Sequence, residues 1–138
     1  MEFSLKHKNA IVCGSTQGIG EASAIELAKL GCNITLLARN ETKLINVLGS
    51  LDTSKGQTHS FLCVDFMDTE SLKTKISELQ DTYHILINNT GGPASGPITD
   101  AETESFEVAF KMHLINNQVL VQKVVEGMKK EKFGRIIN

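Results

Sequence analysis

Three groups of residues in this 138-residue chain are spaced to do chemistry. The first is the run Cys13-Gly14-Ser15-Thr16-Gln17-Gly18-Ile19-Gly20, which lies between a short apolar run and a stretch of helical periodicity. Glycine at 14 permits a tight turn, and glycines at 18 and 20 let backbone approach a ligand or a neighbouring strand. A helix starting here points its free amides, and the positive end of its dipole, at whatever lies in front, which suits phosphate oxygens. No Gly-Lys-Ser/Thr follows, so a nucleoside-triphosphatase loop is disfavoured. Taken alone, the run also fits a glycine-rich connection with no ligand.

The second group is Leu37-Ala38-Arg39-Asn40, at the end of a second apolar run. A nucleotide-binding unit that takes NAD usually has a carboxylate here, holding the ribose hydroxyls. Arg39 would instead pair with a 2′-phosphate through a charge-assisted hydrogen bond. By itself it is equally a surface arginine; joined to the glycine run it favours NADP(H). The third group is Asn88-Asn89-Thr90-Gly91, which taken alone also fits a strand-end turn held by side-chain to backbone bonds.

The elements that must position these groups follow from the apolar pattern. Ala10 to Cys13 is a short run suited to a strand buried on both faces. Gly18 to Lys29 has helical spacing, with Ile19, Ala22, Ile25, Leu27, Ala28 and Leu30 on and around one face, and Gly31 is a natural stop. Asn33 to Ala38 reads as a second strand and Glu41 to Leu51 as a helix. A third strand falls near Thr58 to Val64, and a helix starting at Asp68-Thr69-Glu70 carries Leu72, Ile76 and Leu79 inward. Ile85 to Ile87 is a fourth strand. The segment Asn88 to Asp100 holds both prolines and reads as irregular. A long helix over Glu102 to Lys130 repeats Phe106, Phe110, Leu114, Asn117, Val121, Val124 and Met128 at three- and four-residue steps, which predicts a buried face. Gly134 to Asn138 begins a fifth strand. Five strands alternating with four helices predict an α/β fold: a Rossmann-type, doubly wound parallel sheet of order 3-2-1-4-5, with its crevice where the order reverses between strands one and four.

Composition agrees with a folded domain. The hydrophobic fraction is 41% and the charged fraction 22%, near the globular average. A formal charge of -2 offers no general attraction to nucleic acid or anionic membrane. The pair Lys129-Lys130 is flanked by Glu126 and Glu131 and reads as a solvated helix end. No segment has the length and apolarity to span a bilayer, and Met1 to Asn9 lack the apolar run of a secretory signal. Cys13, Cys32 and Cys63 are odd in number and lack a Cys-x-x-Cys pair, so neither a disulfide framework nor a zinc site is expected, and a reducing cytoplasm is the simplest home.

The glycine run, Asp65 after the third strand, Asn88-Asn89-Thr90-Gly91 and the closing Gly134-Arg135-Ile136-Ile137-Asn138 together resemble the short-chain dehydrogenase/reductase family. The match runs in order from about Ser4 to Asn138, and the branch it looks most similar to is the 3-oxoacyl-carrier-protein reductases. The resemblance implies that Gly14, Ser15, Gln17, Gly18, Ile19 and Gly20 line a nicotinamide nucleotide's pyrophosphate and ribose. It implies that Asp65 accepts from the adenine amino group beside Val64, that Asn88 contacts the adenosine ribose side, and that Gly91 lets the chain pass close to the cofactor. It also implies a small carbonyl or alcohol substrate for the intact protein and pairing into a homo-oligomer.

The departures from the family pattern matter as much. Cys13 stands for a threonine and Thr90 for an alanine. His84 stands for a common aspartate before the fourth strand, as a surface or strand-start residue. His113 falls where the family has its catalytic asparagine, although a histidine on an apolar helix face is more often packed than catalytic. The family's serine and Tyr-x-x-x-Lys lie beyond Asn138, and Tyr83, with Ile87 four places on, does not replace them. Residues 1–138 are therefore expected to be the NADP(H)-binding part of a longer reductase or dehydrogenase domain, with no catalytic residue of their own, inactive and prone to self-association as they stand. A non-catalytic nucleotide-binding module, and an interaction domain using the long helix, are the alternatives.

Overall fold

The computed structural model describes residues 3–138; Met1 and Glu2, part of the leading segment read above, lie outside the described residues. Five parallel strands, β1 (Asn9–Cys13), β2 (Asn33–Ala38), β3 (Ser60–Cys63), β4 (Ile85–Ile87) and β5 (Arg135–Ile137), form one sheet in the order β3-β2-β1-β4-β5. This is the expected order, and it reverses between β1 and β4. The central register sets Val12 beside Leu36 on one side and Ile87 on the other.

Alternate residues of a strand face opposite sides of the sheet, so β1 and β2 feed two cores. Ala10, Val12, Ile34 and Leu36 pack with Ala24 and Ala28 of α1 (Gly18–Lys29) and Leu44 and Val47 of α2 (Glu41–Ser50). Ile11, Cys13, Leu37 and Leu86 pack on the other face with Leu72 and Ile76 of α3 (Thr69–Ser77) and Leu120, Val124 and Met128 of α5 (Asn116–Lys130). Burial on both faces is why these strands read as continuous apolar runs. Among the described residues no helix is long and apolar enough to cross a membrane.

Two expected helical faces are placed differently. In α1 the buried row is Gly20, Ala24 and Ala28, four residues apart, while Ile19 is 76% exposed. Small side chains let α1 lie against the sheet so closely that a Cβ on Gly20 would overlap the Gly14 carbonyl. The long helix is divided: α4 (Thr103–Phe110), one wide π-type segment at Lys111–Ile115, then α5. The π segment absorbs a residue and changes the phase of the apolar stripe. The buried row is Asn116, Leu120, Val124 and Met128, whereas Phe106, Phe110 and Leu114, expected to be buried, are 54%, 57% and 55% exposed. The irregular loop also carries one turn of 3₁₀ helix at Ile98–Asp100. His84 is a buried strand-start residue and not a surface one.

Candidate functional site

The loops that leave the carboxyl ends of β1 to β4 surround one open cleft of about 640 Å³. It lies at the point where strand order reverses, the usual ligand crevice of an open α/β sheet. Its floor is the turn from β1 into α1. Gly14 has φ +58°, and a side chain there would strike the Asn89 carbonyl across the turn. Asn89 Nδ2 reaches the carbonyls of Cys13 and Gly14, at 3.4 Å each, and ties the end of β4 to this turn. Gly18 also has φ +58°, with nothing within 4 Å of where a Cβ would stand. Space there is open towards the cleft, and an L side chain would be both strained and in the way.

The helix starts around the cleft differ in how their amides are met. Asn40 Oδ1 accepts from Lys43 N at 2.9 Å and caps α2, and Asp68 Oδ1 accepts from Ser71 N at 2.9 Å and caps α3. At α1 the N-cap residue is Gln17, which makes no side-chain cap bond. The first-turn amides of α1 therefore face the cleft without a side-chain acceptor, and the helix dipole adds partial positive charge at the same place.

Opposite, at the tip of β2, the exposed Arg39 lines the cleft together with Asn40 and Lys43. Lys43 Nζ approaches Gln17 Oε1 at 3.5 Å, linking α2 to the glycine turn. The cleft thus has two side-chain cations on one wall and an uncapped helix start on its floor. Asp65 lines the far wall, where one carboxylate oxygen accepts from Met67 N at 2.9 Å. Thr90, Gly91 and Gly92 complete the side below β4.

Of the residues expected in the site, Gly14, Gln17, Gly18, Ile19, Arg39, Asp65 and Gly91 line the cleft. Ser15, Gly20, Val64 and Asn88 support it from behind. Ser15 is fully buried, with Oγ 3.4 Å from the Leu37 carbonyl, and Val64 is buried in the core under α3. Asn88 is buried between β4 and β5 and donates from Nδ2 to Asn138 Oδ1 at 2.7 Å, while its own Oδ1 has no partner among the described residues. The neighbouring Asn89 is the one that reaches the glycine turn. Sequence reasoning missed Lys43, Thr16 and Met67 as lining residues. Lys43 had a usable signal, since the third helical residue after the Asn40 cap lies in the first turn beside the tip of β2.

His113 lies in the π segment, half-buried, with Nδ1 2.9 Å from Thr90 Oγ1. The long helix is thereby joined to the cleft wall. Tyr83 is buried 48 residues along the chain from its partner Thr35, 3.2 Å from that hydroxyl, and burial pushes its phenol above the usual range. It is a core residue and does not line the cleft. Cys13 is fully buried, which pushes its thiol up to about 12, so it is an inert packing residue beside the glycine turn. Among the described residues no group of histidine, cysteine or carboxylate side chains could hold a metal ion.

The chain is similar in sequence and fold to known proteins. The bovine (Bos taurus) 3-ketodihydrosphingosine reductase is 28% identical over 142 residues, covering 98% of this chain and 43% of its own length. The crystal structure of L-sorbose reductase from Gluconobacter frateurii, complexed with NADPH and L-sorbose, superposes with a TM-score of 0.86 at 28% identity, covering 99% of this chain and 53% of that one. A 3-oxoacyl (acyl-carrier-protein) reductase from Agrobacterium tumefaciens, with NADP bound, shares the fold at a TM-score of 0.85 and 23% identity, over 98% of this chain and 53% of its own. The chain spans about half the length of these relatives. The short chain dehydrogenase family matches residues 8–138. With the strand order, the glycine turn and the cleft all in agreement, the chain belongs to the short chain dehydrogenase family.

Proposed function

We propose that residues 1–138 form the nucleotide-binding part of an NADP(H)-dependent oxidoreductase that acts on a carbonyl or hydroxyl carbon. The observation that carries this reading is the uncapped start of α1, with Gly18 open to the cleft, facing Arg39 and Lys43. Free amides at a helix start suit a pyrophosphate, and two cations at the tip of β2 suit a 2′-phosphate. A carboxylate that would hold unphosphorylated ribose hydroxyls is absent from the tip of β2, where Arg39 and Asn40 stand. The residues present therefore fit the nucleotide. Gly14 to Ile19 would hold the pyrophosphate, Arg39 and Lys43 the 2′-phosphate, and Asp65 the adenine. When bound, the nicotinamide nucleotide supplies or accepts the hydride, as it does in oxidoreductases generally. In this reading the chain's own residues bind and orient the nucleotide.

Titration calorimetry tests the reading, with NADPH expected to bind more tightly than NADH by a contact or two. Equal affinities, or no binding of either, would overturn it. A second reading rests on His113, which is bonded to Thr90 and stands where the resemblance places the family's catalytic asparagine. On that reading the unit binds the nucleotide without turnover, and steady-state assay of the longest expressed form against ketones separates the two. The exposed Phe106, Phe110 and Leu114 fit burial against a second copy, supporting a homo-oligomer. The buried, unpaired Cys13 and Cys32 fit a reducing cytoplasm, and the net charge of -2 fits a unit without nucleic-acid or membrane partners.

A further inference from the structure

The amino ends of the strands, opposite the cleft, are finished by side chains. Asn9 Nδ2 donates to the Thr82 carbonyl at 2.8 Å, and its Oδ1 accepts from Asn33 Nδ2 at 2.8 Å. Asn33 Oδ1 in turn accepts from Thr58 N at 2.9 Å. Two histidines complete the row. Asn9 N donates to His84 Nδ1 at 3.1 Å, and Ile34 N donates to His59 Nδ1 at 3.1 Å.

A backbone N–H can only donate, so each ring nitrogen it meets must carry a lone pair. His59 satisfies this on both sides, since its Nε2 lies 2.9 Å from the Asp52 carbonyl and must carry the proton there. In each ring Nδ1 accepts and the proton is on Nε2. Adding a second proton to His84 would set a donor against a donor at the start of β1.

We propose that the amino-terminal edge of the sheet is an acid-sensitive splice, in which neutral His84 joins β1, β4 and β5 and releases the start of β1 when its imidazole is protonated. The residue is a junction in its backbone as well. His84 N donates to the Asn9 carbonyl at 2.8 Å, and its carbonyl accepts from Arg135 N at 2.9 Å, so turning the ring disturbs three strands. Its surroundings oppose a positive charge. Phe133 meets the ring edge-on, with centroids 6.2 Å apart, and Lys8 and Arg135 each lie over that phenyl, at 4.7 and 4.8 Å.

Burial holds the His84 imidazole below its ordinary range; Lys8, before β1, acts in the same direction, and Glu131, after α5, opposes it. The sign follows from that direction. A depressed value in the folded chain favours the neutral ring, so the stabilisation is fully present above the ordinary imidazole value of about 6.5 and is lost as pH falls through the lower folded value. In the connection between α2 and β3, Asp52 meets His59 through its carbonyl, and Lys55 lies near the Asp52 carboxylate. None of these residues lines the nucleotide cleft, so the splice is independent of the functional reading above.

The test uses the full chain. Nitrogen-15 NMR of the imidazoles at pH 7.5 should find His84 Nδ1 unprotonated and Nε2 protonated, and protection of the Asn9 amide against exchange should fall as pH is lowered towards 5.5. In urea titrations the unfolding midpoint should fall between pH 7.5 and 5.5, and should fall less in His84→Asn, whose Oδ1 can accept from Asn9 N and does not titrate. A proton on His84 Nδ1 at neutral pH would overturn the proposal, as would equal falls in the two proteins. Should His84→Asn not fold, the tautomer and the Asn9 protection of the unsubstituted chain decide the matter alone.

Discussion

At the amino ends of the strands Asn9, Asn33, His59 and His84 meet backbone donors and acceptors with side chains, whereas at the carboxyl ends the first turn of α1 has no side-chain cap and Gly18 faces open space. The same five strands thus have one closed edge and one open edge. Backbone amides left unmet by the chain are a cost to a fold that stands alone, and they are also what a phosphate-bearing ligand can use. The difference between the edges separates residues that hold the sheet together from residues that leave room for something else. It implies that substitutions at one edge should move stability and at the other affinity.

The most severe way to break this division is to close the open edge with bulk. Gly18→Val places a branched side chain where the cleft is empty and where φ is +58°. NADPH affinity should fall at least about a hundredfold, roughly 2.7 kcal/mol, while the left-handed backbone adds a stability cost of about 1–2 kcal/mol. Calorimetry showing unchanged affinity would make the glycine turn a purely structural device.

Reversing charge at the tip of β2 comes next. Arg39→Asp should cost NADPH binding about 1.5–3 kcal/mol, the worth of a charge-assisted hydrogen bond, and leave NADH binding equal or improved. Competition titrations with the two nucleotides measure the change in preference. If the ratio did not move, Arg39 would be surface only and Lys43 the residue to test.

At the closed edge, Asn9→Ala removes the carboxamide bonds to Thr82 and Asn33. Stability should drop by about 1–3 kcal/mol and the affinity of the folded fraction for NADPH should stay the same. Urea unfolding with and without nucleotide separates the two quantities. A loss of affinity at constant stability would mean the edges are not independent.

The mildest substitution sharpens the comparison by giving α1 the cap it lacks. Gln17 has extended backbone angles, φ -166° and ψ 163°, compatible with an N-cap. Gln17→Asp should stabilise the chain by roughly 0.5–1 kcal/mol through capping while weakening nucleotide binding, because a carboxylate would compete for the same amides. A gain in both stability and affinity would count against α1 as the phosphate site.

Much of this was legible in the residues. α1, β2 and β4 lie over the residues their patterns predict, since apolar runs of fixed period and a glycine after Leu30 are local signals. The turn at Gly14 to Gly20 and the cation at Arg39 were legible for the same reason. The burial of the long helix was not. Its stripe is written in the sequence as continuous, but the helix is divided by the π segment at Lys111–Ile115: no residue of α4 is buried, Phe106 and Phe110 included, while α5 buries Asn116, bonded to Phe66 and Thr69. No local pattern states where a helix takes a wide turn.

By itself, then, the sequence determined the alternation of strands and helices and the glycine turn after β1, because each depends on residues near one another in the chain; the strand order was expected from the rules that govern parallel α/β sheets. Only the tertiary structure decided which of two adjacent asparagines reaches the cleft, that Lys43 joins Arg39 there, and that His84 is buried as a hydrogen-bond acceptor. Those outcomes depend on contacts between residues up to 76 positions apart, whose distances are set by packing two helical layers on one twisted sheet and by no periodicity in the chain.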